Sequence, residues 1–254
     1  MIISDLTQHY VQNLFIKQKR KAEMAIADSL NLVEDLGIVG DVNRDRLSPR
    51  QVLITCRADL EQLKIVPGEL RENIVLDTAD VSAFKPGAKL TFTGGVEIRL
   101  TFYCEPCKRI AHLADSIKSL EGKRGILGVV KAGGAIALQD QVRIEPNYFP
   151  ALSEIPYERF LNYIKKIPRG KVVTYRQILK CIGVDKSYFR AIPFYLRKAP
   201  PNYPLHRILD SQGRTTPHVP QQKEQLEAEG IKLEQANSLA ISWEKFVWQH
   251  DNIY

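Results

Sequence analysis

The chain has 254 residues, is 44% apolar and carries 36 Lys and Arg against 29 Asp and Glu, a formal charge of +7. That length is enough for two domains with a core each. No run reaches the ~18 uncharged apolar residues of a membrane span, and the N-terminal apolar residues precede their charges, the reverse of a secretory signal. A soluble cytoplasmic protein with no membrane partner is expected.

The charge is unevenly divided. Residues 1–149 hold 20 Lys and Arg against 19 Asp and Glu, residues 150–214 hold 13 against 4, and residues 215–254 hold 3 against 6. A basic excess confined to one segment points to a polyanion, of which nucleic acid is the commonest. A solvated basic face without a partner is the alternative. Four cysteines (Cys56, Cys104, Cys107 and Cys181) are too few for a disulfide framework, so free thiols are expected.

In chain order, residues 4–22 read as an amphipathic helix with a basic end. From Met24 to Ile144 the chain reads as short apolar or alternating runs between Gly, Pro and Asp turns: "QVLITC", "ENIVLD", "AKLTFTGGVEIRLTFYC" and "GILGVVKAGGAIALQDQVRI". Strands so spaced, with Gly94-Gly95 as a two-residue hairpin turn, predict an antiparallel β-barrel on which the N-terminal helix packs. Cys104 and Cys107 form a single CxxC. No second pair stands at zinc spacing and the motif does not open a helix, so neither a zinc site nor a redox pair is expected.

Three prolines in "EPNYFPALSEIP" mark a connection. The expected domains are an N-terminal helix at 1–23, a barrel at 24–148 and a C-terminal domain at 149–254. Beyond the connection the period becomes helical. "PYERFLNYIKKIP" sets Phe160, Leu161 and Ile164 on one face, with Ser153 or Glu154 as cap. "GKVVTYRQILKCIGVDKSYFRAIPFYLRKAP" reads as strand, helix, turn and second helix, the helix-turn-helix order. The fold class is α+β, a barrel followed by a small helical winged helix-turn-helix domain. In "NYPLHRIL" an imidazole stands beside a guanidinium, and the residue before them, Leu205, has no lone pair.

"IPRGKVVTYRQIL", "SYFRAIPFYLRKAP", "YPLHRILDSQGR" and "QQKEQLEAEGIKL" follow one another as in the DNA-binding domain of O6-alkylguanine-DNA alkyltransferases, which residues 157–248 resemble. The reactive motif of that family is Pro-Cys-His-Arg; here it is Pro204-Leu205-His206-Arg207. Alkyl transfer needs a thiolate, so Leu205 precludes it at this position. Cys181 lies between Ile178-Leu179 and Ile182 and reads as a buried structural thiol. The chain is therefore similar to the alkyltransferase-like proteins, which bind alkylated guanine without reacting and mark it for other repair proteins. The resemblance implies double-stranded, alkylated DNA as partner. Arg190 would be the finger that replaces a flipped nucleotide, and Tyr175 would sit beside that nucleotide's phosphate. Arg197 would be a further DNA contact, and Pro204, Leu205, His206 and Arg207 would line the lesion pocket. The helix after Arg190 departs from the family in carrying Pro193, Phe194 and Tyr195, so it must start late or kink.

"LGIVGDVNRDRLSPRQVLI", "PGELRENIVLD", "FKPGAKLTFTG", "CEPCKRI" and "GKRGILGVVKAGGAIALQDQVRI" are similar, in that order, to MOSC domains, the β-barrel modules related to molybdenum cofactor sulfurases. The resemblance covers residues 24–144. It implies that Cys107 carries sulfur or ligates molybdenum, as catalytic residue and metal ligand, with molybdopterin as cofactor. Lys108 and Arg109 favour the thiolate, although an unreactive surface thiol would look the same. Arg71, Glu72 and Asn73 either bind a phosphate or pterin edge or cap a turn.

Three functions follow. One is a fusion of a lesion-flipping module with a molybdenum-cofactor or sulfur-carrying module. Another is a molybdenum enzyme acting on N-hydroxylated bases with only non-specific DNA binding. The third is a non-enzymatic lesion sensor whose barrel is a partner platform.

Overall fold

A computed structural model describes residues 9–78, 81–231, 243–249 and 254. It divides into two compact units, residues 1–154 with 254 and residues 155–253, and the division falls inside the proline-rich connection.

The first unit contains β1 (His9–Ile16), β2 (Ala25–Ala27), β3 (Ser29–Val33), β4 (Gly37–Ile38), β5 (Val52–Cys56), α1 (Arg57–Leu63), β6 (Ile74–Asp77), β7 (Lys89–Phe92), β8 (Glu97–Tyr103), β9 (Ile126–Ala132), β10 (Gly134–Ala137) and β11 (Gln141–Glu145). Seven strands close in the order β1-β11-β7-β8-β9-β5-β6 and back to β1, with β2 added along β1. Closure leaves none of these seven strands as a free edge. β3, β4 and β10 form a second small sheet.

Three expectations are corrected here. The amphipathic helix of residues 4–22 is replaced, over residues 9–16, by β1; residues 1–8 lie outside the described residues. The cause is a bulge between Val11 and Asn13. It breaks the two-residue alternation, so the buried Val11, Leu14 and Phe15 fall at helical spacing in the sequence. The β7–β8 turn has three residues, Thr93-Gly94-Gly95, rather than two: Phe92 N–H donates to Val96 O, Gly95 N–H donates to Phe92 O, and Gly95 has φ +80°. The barrel also contains one parallel pair, β5 with β6. α1 supplies the crossover that such a pair requires.

Val11, Ile54, Leu76, Leu90, Ile98 and Leu100, all fully buried, fill the main core. Alternate residues of the same strands serve separate clusters, Leu53 with Phe102, Cys104 and Leu127, and Phe15 and Val75 with Leu60, Leu70, Ile110 and Leu120.

The second unit contains α2 (Pro156–Ile164), β12 (Val173–Thr174), α3 (Tyr175–Cys181), α4 (Ala191–Lys198), β13 (Ile208–Leu209) and α5 (Gln222–Ala228). The expected caps of α2 are corrected: the cap is Ile155, without a side-chain bond, and Pro156 starts the helix. Proline suits that place because its missing N–H would be unpaired anyway. α3 and α4 form the helix-turn-helix, and Phe160 and Ile164 of α2, Ile178 of α3, Ile182 just after it, and Ile192 and Leu196 of α4 are all buried. Parallel pairing of Val173 with Ile208 brings the start of α3 beside the segment that follows His206 and Arg207.

Candidate functional site

In the second unit Thr174 caps α3 reciprocally with Gln177: Gln177 N–H donates to Thr174 Oγ1 at 3.3 Å, and Thr174 N–H donates to Gln177 Oε1 at 2.9 Å. The cap fixes the next residue, Tyr175, which is 7% exposed and bonded through its hydroxyl to Thr216 Oγ1 at 3.0 Å. Burial pushes its phenol upward. Gln222 ties the same loop down. Its Oε1 accepts from Thr216 N–H at 2.7 Å, and its Nε2 donates to His206 O and Ile208 O at 3.0 and 2.7 Å.

Leu205, His206 and Arg207 form a single 3-10 turn after Pro204, all partly exposed. His206 Nε2 lies 2.9 Å from Glu229 Oε1. Arg207 Nε reaches both Glu229 oxygens at 3.1 Å and its Nη2 reaches Oε1 at 2.6 Å, while its Nη1 donates to Ile167 O at 2.7 Å. Gly170 N–H donates to Glu229 Oε2 at 2.9 Å. Burial alone would raise the Glu229 carboxyl; Arg207, the Gly170 N–H and His206 outweigh it and hold the group at about 2. A carboxylate can only accept, so Nε2 of His206 carries the proton. Arg207 is thus committed to an internal fork with Glu229, and the residues of this turn with apolar or imidazole surface still partly open are Leu205 and His206. Glu229 and Gln222 escaped the sequence reading because they contribute through tertiary pairing at no fixed spacing from the motif.

Arg190 is exposed at the end of the 3-10 turn Lys186–Arg190 and caps α4. Pro193 stands third in α4, within the first turn, where no intrahelical N–H is lost. Arg190, Phe194, Arg197 and Lys198 are exposed, and Ile192, Tyr195, Leu196 and Ala199 are buried. Arg197 Nη1 lies 3.4 Å from Nδ1 of His218, in the loop that carries Thr216. This contact links the outer face of α4 to the loop holding Tyr175. Cys181 is buried, at 3% exposure.

In the first unit the two CxxC thiols part company. Cys104 is buried in the cluster of Leu53, Phe102 and Leu127, with Arg50 Nη2 at 3.7 Å from its sulfur. Cys107, partly exposed, packs against the cluster of Phe15, Leu60 and Ile110. The amine of Lys17, 5% exposed, is pushed down by burial and then by Arg71 and Arg109, with Asp41 and Cys107 opposing. Arg71, Arg109, Asp41 and Cys107 are thus all within electrostatic reach of the Lys17 amine. Arg71 occupies a left-handed backbone position, φ +67°, and its Nη2 donates to Ala22 O at 3.1 Å.

Glu72 and Asn73 behave differently from Arg71. Asn73 Oδ1 accepts from Leu53 N–H at 3.0 Å, and its Nδ2 donates to Phe15 O at 3.2 Å and Asp41 Oδ2 at 3.1 Å. Glu72 is fully buried, accepts from Gly68 N–H at 2.6 Å through Oε1 and leaves Oε2 without a partner. Burial raises its carboxyl, against the Gly68 bond. Glu72 thus braces the 68–71 turn, whereas Asn73 ties Leu53, Phe15 and Asp41 together. Among the described residues no group of three or more His, Cys, Asp or Glu is placed to hold a metal ion, and no helix is long and apolar enough to cross a membrane.

Residues 46–143 match the MOSC domain and residues 156–231 the "6-O-methylguanine DNA methyltransferase, DNA binding domain". Over 91 residues the chain is 35% identical to the DNA base-flipping protein of Vibrio parahaemolyticus, covering 34% of this chain and 88% of that protein. Over 102 residues it is 26% identical to alkyltransferase-like protein 1 of Schizosaccharomyces pombe, covering 37% and 94%. The crystal structure of S. pombe Atl1 in complex with damaged DNA containing O6-carboxymethylguanine is 28% identical with a TM-score of 0.34, covering 37% of this chain and 95% of that one.

Proposed function

The chain belongs to the alkyltransferase-like family in its C-terminal unit and carries a MOSC domain in its N-terminal one, and from this we propose that it recognises alkylated guanine in double-stranded DNA without reacting with it. The observation that carries this reading is the contrast at residues 205–207: Leu205 offers no nucleophile, yet His206 and Arg207 beside it are both held by Glu229. The relative from V. parahaemolyticus is named for base flipping, and an exposed guanidinium at the head of α4 suits the filling of a vacated stack position. Tyr175, its hydroxyl held by Thr216, bounds the pocket as a fixed ring, while Leu205 and His206 face the altered base. Repair proteins that act on the marked lesion would be recruited afterwards.

This account predicts that wild-type protein incubated with excess O6-methylguanine duplex keeps its intact mass. Leu205→Cys should gain one methyl group, because His206 and Glu229 already stand where a thiol would need activation. Methylation of the wild type would reject the reading.

In the N-terminal unit the donor set fits a molybdenum cofactor. Lys17, Arg71 and Arg109 suit the anionic phosphate of molybdopterin, and Cys107 is the soft ligand such a metal takes. When bound, the cofactor supplies two-electron redox chemistry at the metal; the chain's part is to hold the phosphate and present the thiol. If Cys107 instead carries sulfur, its partly exposed thiol is open to a sulfur donor. The action of this unit on N-hydroxylated bases is the second reading, and it too requires Cys107. Elemental analysis of purified protein should find molybdenum that Cys107→Ala and Arg71→Ala lower, the latter with the fold intact. Metal-free wild-type protein after cofactor reconstitution would reject the cofactor reading.

A further inference from the structure

Phe194 is 54% exposed, whereas the other aromatic side chains described in the second unit are buried or half-buried. Its ring is not adrift. Phe194 stands 6.4 Å from Tyr195, which stands 5.4 Å from Phe160 and 5.2 Å from Tyr157, so a chain of rings runs from the core to the surface and ends in Phe194.

Its neighbours on α4 define what meets that surface. Arg190, Phe194 and Arg197 follow at i, i+4 and i+7, which puts them on one face. An apolar ring between two guanidiniums suits a ligand that is anionic at its edge and aromatic inside, as a nucleic acid is. A partner protein's apolar patch is poorly served by those flanking charges.

We propose that Phe194 is a second intercalating side chain, stacking on the base step next to the gap that Arg190 fills. Residues four apart on a helix carry their Cβ atoms about 5–6 Å apart. Base pairs stack at about 3.4 Å intervals, so a ring one turn beyond Arg190 meets the next step or the one after it. Apolar wedges hold duplexes open in this way elsewhere. Here the cation would replace the flipped base, and the ring would keep the flanking step unstacked.

The proposal rests on the reading that Arg190 enters DNA, and the test separates the two. The full-length protein is titrated with an O6-methylguanine duplex, its unmodified control and the same lesion in a bulge that is already unstacked. A parallel set carries 2-aminopurine at the flanking step. Phe194→Ala should weaken binding to the lesion duplex about tenfold to a hundredfold, lose little on the bulge and lessen the 2-aminopurine signal change, with thermal unfolding unchanged. Phe194→Trp should restore all three. If Phe194→Ala binds as wild type while Arg190→Ala loses lesion preference, the wedge is wrong and the flipping reading stands. Equal weakening on duplex, control and bulge would also overturn it, by making Phe194 a general contact. A wild-type protein without lesion preference would remove both.

Discussion

Glu229 is the residue on which the loop of residues 204–207 depends. It fastens His206, Arg207 and Gly170 at once, and its side chain is 9% exposed. Its carboxyl ordinarily titrates at 4.5 and here sits at about 2. A depressed carboxyl contributes stability that is full above the unfolded value and is lost as pH falls from 4.5 towards 2. Glu229→Gln should therefore cost about 2–3 kcal/mol near neutrality and flatten the acid limb of the unfolding profile, leaving little difference from wild type near pH 2. An unchanged acid limb, followed by denaturant unfolding at stepped pH, would contradict this. The sequence displayed His206 and Arg207 as a pair but not their anchor, because a fork closed across some twenty residues follows no motif spacing. In the same way Cys104 and Cys107 share a motif, and only packing separates the buried thiol from the partly exposed one.

At the scale of elements, α3 starts where it does because Thr174 and Gln177 satisfy each other's free backbone groups. Thr174→Ala should cost about 1 kcal/mol and, by loosening the helix start, shift the Tyr175 ring off Thr216. A tyrosine fluorescence or NMR spectrum unchanged beside the loss of stability would show that the cap does not position that ring. Both helices of the helix-turn-helix were legible from their period. The first strand was not, because the Val11/Asn13 bulge lends it a helical spacing. Nor was the parallel β5–β6 pair, since α1 is only seven residues long and lies within a run of strand signals. Pro193 is the converse case: the limit it sets on a helix start was readable beforehand, and α4 begins within that limit.

At the scale of the whole molecule, the charge division already separates the two units. The near balance of residues 1–149 and the excess of residues 150–214 correspond to a barrel and to a helical unit whose α4, with its cap, exposes Arg190, Arg197 and Lys198. Binding to DNA through that face should weaken steeply with added salt, since each phosphate contact releases counterions. Salt dependence alone does not distinguish a pocket from a basic face. Lesion preference does, so the most direct measurement is a paired titration, at one fixed salt concentration, of matched duplexes with and without O6-methylguanine. The account predicts that wild-type protein binds the lesion duplex about tenfold or more tightly, and that Arg190→Ala removes that preference while keeping the salt-dependent remainder. Equal affinity of the wild type for the two duplexes would contradict it.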